Sequence, residues 1–347
     1  MKGVAQRRAT IVDVAKQANV SKSTVARVLE GKINVSDDAR ARVLKAVAAL
    51  GYERNRLAVG MRSGRTGLLA IVIPDITNPF WAEVTRGAQD QAIKKGFSLL
   101  VFSSDWDVAK EAAHLQAIRQ ARVDGAIINP VADNFDSLGF FGMPLVFLGS
   151  SAERFPEISS VGSDIKQGVN LGLQAFAERG HALPSLIMGP RSRLARIRFL
   201  RAVTDYCIAR DMDPELVTIE DADYTVEGGF QAMSRLLELN ARKEKHRAVF
   251  AANDLMALGA MMAVRKAGLR CNEDVSILGF DGIPAGMFSM PGLTTIKKPS
   301  RQIGETAMVC LLDEIEGHSE HGRIHLPCQL IERDSVADLY RQNEINR

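Results

Sequence analysis

From residue 68 onward the chain alternates short, largely apolar runs with segments of helical period. Residues 68–73, 97–102, 125–128 and 145–148 read as strands, and a second set follows at 185–188, 216–219, 248–251 and 275–280. Runs that are apolar at nearly every position fit strands buried on both faces, and the helix-length spacers fit right-handed βαβ crossovers of a parallel sheet. Two such sets in series, with no Pro/Ser-rich linker between them, predict two α/β lobes sharing a cleft. Ahead of them the pattern differs. Ile11, Val14, Ala15 and Ala18 fall on one helical face, as do Val25, Val28 and Leu29 after a break at Asn19-Val20. Thr10 and Ser21 precede these runs, where a hydroxyl can cap free backbone N–H groups. A third helix is expected from Ser36 through Val43, Leu44, Val47 and Leu50 to a stop at Gly51. Two short helices joined by a tight turn, with Lys22, Ser23 and Arg27 free on the second, form a helix-turn-helix pattern suited to a major groove.

Charge sharpens this division. Residues 1–66 hold fourteen Lys and Arg against five Asp and Glu, net +9. The whole chain has 44 against 41, so the remaining 281 residues hold 30 against 36, net −6. A basic head on an acidic body is the footprint of a nucleic-acid module joined to something that does not bind nucleic acid. A solvated basic tail is the competing reading, but these charges are interleaved with helix-period apolar residues.

The 347 residues and 46% hydrophobic content suffice for two or three ordinary cores. No apolar run approaches the ~18–20 residues that span a bilayer, and the N-terminus carries no apolar signal stretch, so a cytoplasmic protein without membrane contact is expected. Cys207, Cys271, Cys310 and Cys328 are scattered and read as reduced thiols. No Gly-x-Gly-x-x-Gly turn follows a strand, and there is no Walker A or Gly-x-Ser-x-Gly element, which argues against an enzyme and leaves no cofactor to assign. His318, His321 and His325 could share a helical face as metal ligands, but Gly317 and Gly322 bracket the run and favour a surface loop, so no metal is expected. The tail beyond Glu332 has no sustained heptads, which disfavours a coiled-coil tetramer.

Six stretches occur in an order that is specific together: Thr-Ile-Val-Asp-Val-Ala (10–15), Val-Ser-Lys-Ser-Thr-Val (20–25), Leu-Gly-Tyr (50–52), Pro-Asp-Ile-Thr-Asn-Pro-Phe-Trp (74–81), Phe-Ala-Ala-Asn-Asp-Leu-Met-Ala-Leu-Gly (250–259) and Asp-Val-Ser-Ile-Leu-Gly-Phe-Asp-Gly-Ile-Pro (274–284). In these the chain resembles the lactose-repressor (LacI/GalR) family of bacterial transcription regulators. The resemblance implies an N-terminal all-α helix-turn-helix domain at 1–54 and a hinge helix with linker at 55–67. It further implies an α/β core of two Rossmann-like lobes, like the type I periplasmic binding proteins, at 68–340, followed by a polar tail at 341–347. The first lobe would comprise 68–163 and 293–327, the second 164–292 and 328–340, with three crossings between them.

Carried onto this chain, the resemblance points Lys22, Ser23 and Arg27 at base edges, with Thr10, Thr24 and Asn55 on phosphates and Ser21 and Arg56 among the contacting residues. Ser23 and Thr24 also suit simple helix-start chemistry. Met61 stands where the family has a leucine wedge for the central minor-groove step. Ala26, Glu30 and Arg54 depart from the family pattern, and Gly60 weakens a hinge helix already too short to be stable alone. The effector site would draw Asp75, Phe80, Trp81 and Asp105 from the first lobe and Arg196, Arg198, Asn253 and Asp281 from the second. Asp75 and Asp281 could equally be turn or cap residues, Phe80 and Trp81 core, and Trp106 is a further stacking candidate. The implied protein is a homodimeric repressor of double-stranded operator DNA controlled by a small molecule, sugar-like or, alternatively, a purine or other corepressor.

Overall fold

The computed structural model describes residues 9–29, 31, 34–52, 65–131, 142–149, 155–191, 193–240, 248–318 and 322–340. The expected hinge residues Asn55, Arg56, Gly60 and Met61, together with Glu30 and Arg54, lie outside them. The chain divides into two compact units, Met1–Thr66 and Gly67–Arg347.

In the first unit α1 (Ile11–Ala18), α2 (Lys22–Leu29) and α3 (Asp37–Leu50) enclose a core of Val14, Ala18, Val25, Val28, Val43 and Ala46. Thr10 and Asp13 form a reciprocal capping box at the start of α1. Asn19 ends that helix in the left-handed region at φ 50°, a conformation Asn tolerates better than most residues. Gly51 ends α3 in the same way at φ 56°.

The second unit contains two six-stranded sheets. The first runs β11-β5-β4-β3-β1-β2, built from β1 (Leu68–Ile73), β2 (Ser98–Ser103), β3 (Gly125–Ile128), β4 (Leu145–Leu148), β5 (Ser159–Ser163) and β11 (Arg323–Leu326), all paired in parallel. Helices α4 (Pro79–Lys94), α5 (Val108–Ala121) and α10 (Ser300–Glu316) belong to this lobe. The second sheet runs β12-β10-β9-β8-β6-β7, from β6 (Ser185–Met188), β7 (Ile219–Asp221), β8 (Ala248–Ala251), β9 (Ser276–Asp281), β10 (Thr294–Lys297) and β12 (Gln329–Ile331). Among the described residues of this sheet, only β12 is antiparallel to its neighbour. Its helices are α6 (Ile165–Ala177), α7 (Leu194–Ile208), α8 (Val226–Asn240) and α9 (Asp254–Lys266). Leu69 through Ile73 are fully buried, as a strand covered on both faces requires.

Two expectations are corrected. The return to the first lobe was expected at 293, yet β10 pairs in parallel with β9, so the chain crosses at 298–299. Thr294 and Thr295 are buried in that second-sheet strand despite their hydroxyls. The strand expected at 216–219 begins only at Ile219, because Pro214–Leu216 forms a 3₁₀ turn and leaves Leu216 exposed. Of the histidine run, His318 follows the left-handed Gly317 and His325 is exposed on β11, while His321 is outside the described residues. No group of three potential metal ligands occurs among the described residues.

Helices α4 and α10 approach backbone to backbone. A Cβ at Gly87 would collide with the Arg301 carbonyl, and one at Gly304 with the Val84 carbonyl. No flexible side chain lies in between to yield, so Gly304→Ala is expected to destabilise the core by ~1–3 kcal/mol through overpacking, read as a lower urea midpoint. An unchanged midpoint would show that the helices separate freely.

Candidate functional site

In the head, geometry divides the polar residues of α1 and α2 by task. The capping box is closed by the Thr10 N–H donating to the Asp13 carboxylate at 2.9 Å and the Asp13 N–H to the Thr10 hydroxyl at 3.4 Å, and that hydroxyl itself donates to Asp13 at 2.7 Å. The Ser21 Oγ accepts from the Thr24 backbone N–H at 3.1 Å and lies 2.7 Å from Ser23 Oγ and 2.8 Å from Thr24 Oγ1. Those three hydroxyls thus form one cluster at the start of α2, the local chemistry anticipated for Ser23 and Thr24. Lys22 and Arg27 are exposed beside it.

In the core unit, the residues at issue gather just beyond the C-terminal ends of parallel strands, where open α/β sheets present loops to ligands. Asn78 and Phe80 follow β1, Trp106 follows β2, Tyr224 follows β7 and Asn253 follows β8, while Asp281 ends β9 and Lys298 follows β10. They line a solvent-open cleft between the lobes with about 100 Å³ of free volume, so a ring-sized ligand would need the lobes to part further than they do here.

Phe80, Trp81, Arg196, Asn253 and Asp281 all line this cleft. Asn253 also caps α9, accepting from Met256 N–H at 2.8 Å while donating to the Tyr224 carbonyl at 2.9 Å. Phe80 is buried against the first-lobe core and meets Trp81 edge to face at 4.9 Å. Asp75, Asp105 and Arg198 are not among the lining residues. The Asp75 carboxylate accepts the Thr77 N–H at 2.8 Å and hydroxyl at 2.6 Å, closing the turn before α4. Asp105 is exposed and pairs with Lys110 at 2.8 Å; that bond, then one from Ser103, holds its carboxyl below the usual carboxylate range. Arg198 lies along α7, two residues past the inward-facing Arg196.

Sequence reasoning did not single out Asn78, Tyr224 or Lys298. Asn78 and Lys298 sit against prolines, where a cap or strand end explains them as well as a ligand does. Tyr224 lies in a polar turn with no periodicity.

The charges are paired. Asp281, 5% exposed, meets Lys298 Nζ at 2.6 Å. Burial pushes the Asp281 carboxyl up, and Lys298 pulls it back down. The same ammonium lies 3.8 Å from the centroid of the Phe80 ring, a cation–π contact. Arg196, 6% exposed, pairs with Asp221 at 2.6 Å and donates to the Gly189 carbonyl at 2.6 Å. Behind the cleft, Asp254 is fully buried and accepts from Ile283 N–H at 2.7 Å and from Thr295. Burial, then the nearby Asp281, lifts its carboxyl to about 7. It ties the loop after Asp281 to α9. Burial likewise raises the Tyr224 phenol to about 12, so it remains a neutral donor.

Residues 10–55 match the family described as bacterial regulatory proteins, lacI family, and residues 173–336 match the periplasmic binding protein-like domain. The ribose operon repressor of Halalkalibacterium halodurans is 31% identical over 94% of this chain and 97% of its own. The HTH-type transcriptional repressor PurR of Proteus mirabilis is 31% identical over 95% of this chain and 97% of its own. Among solved structures, the lac repressor dimer bound to operator and the anti-inducer ONPF superposes with a TM-score of 0.86 at 28% identity, covering 95% of this chain and 100% of that one. On this agreement of motif, fold and full-length relatives, the chain belongs to the LacI family of bacterial regulatory proteins, which are ligand-responsive DNA-binding transcriptional regulators and not enzymes.

Proposed function

We propose that this chain is a cytoplasmic repressor whose operator affinity is set by a neutral, polyhydroxylated effector, a sugar or sugar derivative, held between the lobes. One observation carries the ligand class: the cleft's charges are internally compensated. Among the charged residues that line it, Asp281 is matched by Lys298, and Arg196 by Asp221 beside it, so no lining charge is left over to receive a phosphate or carboxylate. Paired charges still offer acceptors and donors to hydroxyls, and Phe80, Trp81 and Trp106 offer apolar surface to the C–H side of a ring. A LacI-family regulator of Enterococcus faecium with bound ribose has a TM-score of 0.69 to this chain at 27% identity, which supports the same class. A purine is the second reading, favoured by the near-parallel Trp106–Tyr224 stack and by the resemblance to PurR.

Lys22, Ser23 and Arg27 read the operator in this proposal, with Thr10, Thr24, Asn55 and Arg56 on the backbone and Met61 in the minor groove. The exposed Met287, Phe288 and Met290 in the second lobe supply an apolar face for a second copy of the chain, forming the homodimer that a two-part operator requires.

Thermal-shift screening tests the ligand class. Neutral pentoses and hexoses should stabilise the protein, by about 2.7 kcal/mol at a hundredfold excess over Kd, while their phosphates do not. Stabilisation by hypoxanthine or guanine alone would select the purine reading, and stabilisation by phosphosugars alone would overturn the charge argument. Lys298→Met leaves Asp281 buried without its partner and should cost ~3–5 kcal/mol; adding Asp281→Asn should recover part of that in urea denaturation. Arg27→Ala should weaken specific operator binding by ~1–3 kcal/mol without equal loss on random duplex, as read in competition assays. An equal loss on both would make Arg27 a phosphate contact.

A further inference from the structure

One contact across the cleft is not explained by effector chemistry. Arg193 occupies the position preceding α7, where Ser, Thr, Asp or Asn would cap free N–H groups, and it makes no side-chain cap bond. Its guanidinium reaches the other lobe instead. Nη1 donates to the Val131 carbonyl at 2.8 Å and Nη2 to the Trp106 carbonyl at 3.0 Å. The guanidinium carbon also lies 5.1 Å from the centroid of the Trp106 ring. That ring stacks on Tyr224 of the second lobe, with centroids 5.0 Å apart and planes at 26°. Trp106 is therefore gripped by two second-lobe side chains at once.

Both sides are built for this grip. In the first lobe the wholly buried Glu111 accepts from Val131 N–H at 2.7 Å, and Trp106 N–H donates to the Pro74 carbonyl at 3.2 Å, so the acceptors are fixed in advance. Asp105 and Trp106 are successive left-handed residues at φ 50° and 59°, a costly conformation for a bulky side chain. The Asp105 bonds to Lys110 and Ser103 hold the turn. In the second lobe Tyr224 is also left-handed, at φ 70°, and a Cβ at Gly189 would fall on its ring. A forfeited cap, strained backbone in both lobes and a glycine gap converge on one contact.

We propose that Arg193 is a positioning residue that latches the lobes across the cleft, holding Trp106 against Tyr224 as a roof formed before the effector arrives. The proposal deepens the reading of this cleft as the effector site, but the latch itself does not depend on which effector is bound. It is releasable: it rests on two neutral carbonyls and stacking, and Nε has no acceptor among the described residues. Lysine cannot reproduce it, because an ammonium lacks the planar fork that serves two carbonyls while lying over a ring.

The chain's two tryptophans, Trp81 and Trp106, make this measurable in the full-length protein without ligand. In a Trp81→Phe background, acrylamide quenching reports Trp106 alone. Arg193→Ala should raise its quenching constant roughly threefold and shift its emission to longer wavelength as the roof opens, with Arg193→Lys in between. In a Trp106→Phe background the same substitutions should leave Trp81 emission and far-ultraviolet circular dichroism unmoved. Equal shielding of Trp106 in the Arg193→Ala and parent proteins would overturn the latch. So would a Trp81 change as large as that of Trp106, which would mark general loosening. No effector enters the measurement, so its failure is separate from any failure of the sugar reading.

Discussion

A chain that passes three times between its sheets, at 164, 298–299 and 327–328, cannot let its lobes come apart. Each lobe owns strands from distant parts of the sequence, and the lobes are tied by short parallel tethers. Relative motion is thereby reduced to bending and twisting about those tethers. The ion pair of Asp281 and Lys298 sits at one of them, joining the end of β9 to the residue that leaves β10. A small molecule that bonds to either partner acts at the pivot, where a small change in geometry has the longest reach. That gives a physical meaning to ligand response in this protein: the effector competes with, or completes, interactions already located on the tethers.

The elements easiest to read in the sequence were those whose residues answer to a single demand. Strands β1, β3, β4 and β8 are free of polar side chains, and β6 carries only Ser185, because both faces are covered, and their limits agree with the runs that predict them. The strands that escaped notice have other sources of burial. β5 is Ser-Ser-Val-Gly-Ser, with Ser159 and Ser160 buried by parallel pairing and Gly162 packed against Gly149. β10 begins with two buried threonines, one of them bound to Asp254. Hydroxyls satisfied inside a sheet look like loop residues in a sequence. The expected crossing at 293 came from the family resemblance instead, and the pairing of β10 with β9 moves it to 298–299.

The cleft was legible where side-chain type and strand-end position agree, as at Asn253 and Asp281. Asp75 and Asp105 occupy equivalent strand-end turns, and there the carboxylates bond within those turns. Nothing in residue identity separates an aspartate facing a ligand from one closing a loop; the difference is the direction of one rotamer. Arg196 and Arg198 pose the same problem along a helix, where two positions carry a side chain through about 200° around the axis. Tyr224 depends on a glycine 35 residues earlier in the chain, a dependence with no local trace.

The glycine contact between α4 and α10 has a mechanical consequence. Helix α10 starts immediately after the second tether, and its backbone meets that of α4 at Gly87 and Gly304 without side chains between them to absorb displacement. Two rods touching in this way travel together, and the 17 residues of α10 make an arm about 25 Å long at the standard rise. A turn of about 5° at its base would carry the far end through about 2 Å, a stroke the size of an interface repacking step. With no methyl groups at these two positions, a slight rearrangement at the base of α10 would be carried to the opposite end of the lobe instead of being absorbed between the helices.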